Sequence, residues 1–171
     1  MISTDDYLHL VDRALDGMVK IVTDLGDERA NRRPPLPGAN SPYAILTHCL
    51  GVMDYWAGQL VAGRPVERDR DAEFAAAGPV AGLSDRVTAA RRRLRDDLRQ
   101  GGPDALLCDE PLTDAPPARY AGTPISLRRG AALLHVFEEL AQHHGQLEIT
   151  RDLLLADQAG HLRHPEGDGI R

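Results

Sequence analysis

Glu139 and His143 stand four residues apart in the run LLHVFEELAQHHGQLEITRDLL, residues 133–154. A carboxylate and an imidazole at that spacing lie one above the other on a helix. Ala132, Val136, Leu140, Leu147 and Leu154 form one apolar stripe there. At ~100° per residue, His143 falls roughly 20° from the centre of the stripe and Glu139 roughly 60°. Glu138 falls off the inner face, His135 and Gln146 share one edge, and His144 points to the other. A glutamate is almost never buried without a partner. The stripe offers no Lys or Arg, and Arg151 lies away from it. A bound cation would satisfy the carboxylate, with neutral His143 sharing it. The alternative is a partly exposed i,i+4 pair that holds nothing.

Two ligands rarely hold a metal well, so a third is expected from a facing helix. The run SPYAILTHCLGVMDYW, residues 41–56, offers His48 at the flank of its own apolar stripe. A hydrogen-bonded core histidine is the competing role for it. Three protein ligands with open positions are the pattern of a catalytic metal site rather than a closed structural one. Imidazole and carboxylate suit zinc foremost, with nickel, iron or manganese as alternatives. His135, one turn before Glu139, is a candidate supporting group or substitute ligand. Tyr55 and Trp56 are candidates to line a cofactor pocket, with core packing as the alternative. Cys49, on the inner face, reads as a small hydrophobe rather than a nucleophile.

Four helices must position these residues. The first is expected from about Ser3 to Leu25, capped by Ser3 or Thr4, with apolar positions from Tyr7 to Leu25 at a steady spacing of three to four. A Pro/Gly-rich breaker follows to Asn40. The second starts at Ser41-Pro42, a cap followed by proline at the first helical position, and ends near Gly63. A polar, Ala/Gly-rich stretch follows, from Val66 to Gly82. The third runs from about Leu83 to Gln100, and its arginine run at residues 91–95 reads as a solvated face. The fourth runs from near Ser126 to about Asp157. With no convincing strand, the expectation is an all-α four-helix bundle over residues 1–158 and a polar tail over 159–171.

Composition agrees with that class. The 171 residues are 42% hydrophobic, 27% charged and only 4% aromatic, which suits a globular helical protein over a disordered or all-β one. A net charge of −6 argues against nucleic acid or an anionic membrane as partner. The two cysteines make no disulfide framework. The N-terminus has no basic and apolar leader, and the most apolar stretch, residues 44–63, carries His48, Asp54 and Gln59. The cytoplasm is the expected compartment. If the chain self-associates, a homodimer is the expected form. HExxH, paired Glu-x-x-His, phosphate-loop, dinucleotide and G-x-S-x-G motifs are all absent from the sequence.

The pattern resembles the DinB superfamily, and within it the proteins related to mycothiol-dependent maleylpyruvate isomerase. The matching pieces are His48 in LTHCLGVMDYW, and Glu139, His143, Gly145 and Gln146 in EELAQHHGQ. The resemblance spans about residues 5–157. It implies a DinB-like four-helix bundle with long connecting loops, holding one divalent metal on His48, Glu139 and His143. Many members use three histidines, and Glu139 in the middle place resembles the isomerase-like branch. The resemblance further implies a low-molecular-weight thiol, mycothiol or bacillithiol, as cosubstrate. The metal would lower the pKa of its sulfur, and the thiolate would attack an electrophile. The expected activity is thus a thiol-dependent S-transferase or isomerase acting on a small-molecule electrophile. No counterpart of that isomerase's extra C-terminal domain is evident, so maleylpyruvate is not the expected substrate. Two other readings compete: a non-enzymatic, metal-stabilised bundle with a stress-related or binding role, and a non-haem Fe(II) oxygenase using the same ligand types.

Overall fold

The computed structural model describes residues 3–100, Leu112 and 128–158. Its helices are α1 (Thr4–Ala30), α2 (Pro42–Met53), α3 (Arg70–Ala75), α4 (Val80–Gln100) and α5 (Arg129–Gln158). A π-helical segment, Asp54–Val61, continues α2. The described residues form an all-α bundle in which α4 and α5 each pack against both α1 and the α2 rod. The start expected near Ser126, the connection over 104–124 and the tail lie outside the described residues, apart from Leu112, which packs on the core.

Local chemistry sets most of the helix ends. Ser3 caps α1 in a reciprocal box: its hydroxyl accepts from the Asp6 backbone N–H at 3.0 Å, while the Asp6 carboxylate accepts from the Ser3 N–H at 3.1 Å. Ser41 caps α2 through the Ala44 N–H at 3.2 Å, with Pro42 next to it. The first helix outlasts its expected end at Leu25. It kinks at Gly26 (φ 68°, ψ 174°) and runs to Ala30, because glycine alone enters that backbone region at little cost. The fourth helical element, α4, starts at Val80 rather than Leu83. Its Val80 N–H donates to the Asp27 carboxylate at 2.8 Å, so a residue of α1 caps it.

One apolar core runs through the bundle. Leu15 and Met18 of α1, Ile45 and Leu46 of α2, Trp56 and Leu60 of the π segment, Leu83 of α4, and Leu133, Leu140, Leu147 and Leu154 of α5 are all nearly sealed from solvent. Each such side chain contributes about 1.5–3 kcal/mol by leaving water. The Tyr7 hydroxyl donates to the Leu133 carbonyl at 2.8 Å and ties α1 to α5. No helix among the described residues is long and apolar enough to cross a membrane.

The arginine run departs from the solvated face expected of it. Arg91 reaches Asp16 at 2.6 Å, Arg95 reaches Asp12, and Arg93 clasps Asp54 with two bonds of 2.9 Å. Buried Asp97 accepts from Arg64 at 3.0 and 3.1 Å, and Arg64 also reaches Asp54 at 2.9 Å. The run therefore tethers α4 to α1 and to the π segment. A charge pattern along one helix does not reveal this, because the carboxylate partners lie on other helices.

Candidate metal centre

The fold brings His48, Glu139 and His143 together, with one ligand atom from each within 4.8 Å of the others. His48 comes from α2 and is buried; Glu139 and His143 come from one face of α5 and are each about one-fifth exposed, at 21%. The His48 and His143 rings meet nearly edge to face, 5.1 Å apart at 85°.

Hydrogen bonds set the tautomer of both imidazoles. His48 Nδ1 lies 2.8 Å from Glu73 Oε2, and His143 Nδ1 lies 2.7 Å from Gln146 Oε1. Both partners are acceptors, so each Nδ1 carries the proton and donates it. Each Nε2 then turns a lone pair inward. His143 Nε2 stands 3.4 Å and His48 Nε2 3.6 Å from the same oxygen, Glu139 Oε2. Three electron-rich atoms thus converge with no donor between them. Those separations exceed the 2.7–2.9 Å usual for a charge-assisted hydrogen bond. They match the roughly 3.3–3.6 Å edge of a tetrahedron built on bonds of about 2.0–2.2 Å to zinc. A donor set of two neutral imidazoles and one carboxylate, preset in this way, fits a divalent cation.

The electrostatics follow from the same contacts. When protonated, His143 and then His48 donate to Glu139 and hold its carboxyl well below the usual carboxylate range, against the opposing effect of burial; as neutral Nδ1–H tautomers they leave that oxygen to a cation. Burial disfavours a charged His48, but Glu139 and Glu73 outweigh it and raise its pKa above the ordinary value. Burial pushes the Cys49 thiol well above its normal pKa, so that sulfur is not poised as a nucleophile.

The remaining candidates take distinct places. Glu138 is exposed and accepts from the Gln142 amide at 3.3 Å, away from the triad. His135 lies between two carboxylates, with Nδ1 3.1 Å from Glu138 and Nε2 3.3 Å from Glu139 Oε1. Trp56 is wholly buried and packs edge-on against the His135 ring at 4.5 Å, so it is a core residue. Tyr55 is half-buried beneath the Arg68 guanidinium, 5.4 Å from its ring centre. His144 faces away from the triad, into the space over Gly17 of α1 that a Cβ there would fill.

Sequence reasoning missed α3 and everything it contributes. Glu73 is buried against His48, Phe74 stacks on the His48 ring at 4.4 Å and 25°, and Arg68, just before α3, holds Glu73. Six residues are too few to show a helical period. The usable signal was Asp69, whose side chain caps the short run by accepting from the Ala72 N–H at 2.9 Å.

Comparison with known proteins adds the following. The family model for mycothiol-S-transferase matches residues 6–156. Among solved structures, the chain is similar to a conserved protein from Enterococcus faecalis, at a TM-score of 0.67 and 18% identity, over 91% of this chain and 99% of that one. At that identity the likeness speaks for the fold. No curated protein matches the chain.

Proposed function

We propose a thiol-transfer function from one premise: the chain belongs to the mycothiol-S-transferase family, a DinB-like family. In this reading His48, Glu139 and His143 hold one divalent metal, zinc foremost, and the protein joins a mycothiol-type thiol to a small electrophile. The observation that carries it is the convergence of two inward imidazole lone pairs on one Glu139 oxygen. A divalent cation bound there supplies the Lewis acidity that turns a thiol into a thiolate at neutral pH.

The chain's own residues do the rest. Glu139 brings the negative charge that offsets a dication, and the two histidines bind as neutral ligands through Nε2. With three protein ligands, coordination positions remain for a substrate. His135, beside Glu139 Oε1, is placed to take up the proton that a thiol gives up. The Cys49 thiol is buried with a raised pKa and is not the nucleophile; in this reading the small molecule brings the sulfur.

The test is metal content by elemental mass spectrometry on untagged protein never exposed to a nickel column, followed by turnover with thiol and electrophile. The expected result is about one equivalent of a single divalent metal per chain, which a three-ligand site takes, and thiol consumption that a chelator stops. A chain that takes up no metal even from added zinc would leave Glu139 and His143 as a structural pair and refute the proposal.

A further inference from the structure

Resting on the metal reading above, we infer that Glu73 is the positioning residue for His48. Held by Arg68, its carboxylate keeps the His48 proton on Nδ1, so that the Nε2 lone pair faces the metal position. Glu73 Oε2 takes the Nδ1–H at 2.8 Å. Arg68 grips the same carboxylate from the other side, Nε to Oε1 at 2.7 Å and Nη2 to Oε2 at 3.0 Å. A carboxylate with two fixed donors on one side presents its remaining acceptor capacity in one direction. Phe74, the next residue of α3, stacks on the imidazole face and fixes the ring plane. The bond and the stack together leave His48 one orientation.

The sequence around the pair is shaped for it. Gly51 of α2 lies under Glu73, and a Cβ there would collide with the Glu73 carboxylate. Burial pushes the Glu73 carboxyl up, but His48 and Arg68 outweigh it and keep it ionised. Arg68 and Glu73 also line a cleft of about 560 Å³ between α2, α3 and α4 that none of His48, Glu139 and His143 touches. Glu73 cannot itself be a ligand of the same ion, because it binds Nδ1, on the opposite side of the ring from the Nε2 that faces Glu139. Its part is indirect: it sets which imidazole nitrogen is free and raises the basicity of that nitrogen.

The experiment has two readouts that do not depend on turnover. The first is nitrogen NMR of the His48 ring in metal-free protein at mildly alkaline pH. The wild type should carry its proton on Nδ1, whereas Glu73→Ala should show mixed tautomers. The second is zinc affinity by competition with a chromogenic chelator. Glu73→Ala should bind zinc ~10–100-fold more weakly, and Glu73→Gln, which keeps an acceptor but loses the charge, should recover part of that loss. Glu67→Gln, in the same cleft but without contact to His48, should match the wild type. If Glu73→Ala does not fold, a double Arg68→Met, Glu73→Leu variant replaces the buried ion pair with apolar side chains of similar size and carries the same expectations. Wild-type His48 protonated on Nε2, or unchanged zinc affinity in every Glu73 variant, would overturn the inference. A chain that binds no zinc but shows the expected tautomers refutes the metal reading and leaves the hold of Glu73 on His48 standing.

Discussion

At the scale of single residues, the triad combines one buried histidine with two mostly buried groups from a single helical turn. His48 and His143 should therefore be equally necessary, because neither a lone imidazole–carboxylate pair nor two imidazoles hold a first-row metal tightly. His48→Ala and His143→Ala should each lose stoichiometric zinc after dialysis, while Glu138→Gln, out of reach of the triad, should keep it. Full occupancy in both histidine variants, read by elemental mass spectrometry, would show that the ligands lie elsewhere. Acid should act through the same atoms. Each imidazole must offer a bare Nε2, so zinc affinity should be full at alkaline pH and fall as pH drops through the raised pKa of His48. A chelator titration across that range would show the loss, and a flat profile would count against histidine ligation.

At the scale of elements, the helices are tied by ion pairs that cross between them. Asp97 is nearly sealed from solvent, at 3% exposure, and carries two bonds from Arg64. Replacing it with Ala leaves the half-buried Arg64 guanidinium with Asp54 alone, and should cost about 1.5–3 kcal/mol in urea unfolding. Arg92→Ala, on the same helix, should stay within about 0.5 kcal/mol of the wild type. Equal effects from the two would mean that the Arg64–Asp97 pair adds nothing to stability. The kink in α1 belongs to this scale too. Gly26 holds φ 68° and ψ 174°, a region that is essentially closed to other residues. Gly26→Ala should lower the unfolding free energy by about 1–3 kcal/mol, although open space surrounds a Cβ there. No measurable loss would mean that the kink can be remodelled without strain.

At the scale of the whole molecule, the triad joins α2 to α5, two elements of the bundle that are far apart in the chain. A ligand that binds only the folded state stabilises it by mass action, by about 2.7 kcal/mol at one hundred times its Kd. For a chain of this size that is a rise in Tm of roughly 5–10 °C. Calorimetry with and without zinc should show such a rise in the wild type and none in His48→Ala. An unmoved wild-type Tm would say that the three groups do not act together as a site.

Glu139 and His143, the caps at Ser3 and Ser41 and the apolar stripes of four helices are all legible in the chain, because each depends on spacings of three to seven residues that a helix converts directly into a face; His48 joins the pair only through the family resemblance and, in the fold, through the docking of α2 on α5. Glu139 separates from Glu138 by the same arithmetic. What the chain by itself does not reveal are the interactions that close over long separations: Glu73 against His48, Asp27 capping Val80, Arg93 on Asp54. Those pairs depend on how the helices dock, and no local period encodes the docking. The short helix α3 shows the difference most clearly. As sequence it is six residues in a polar stretch; in the fold it carries the carboxylate and the ring that set His48 in place.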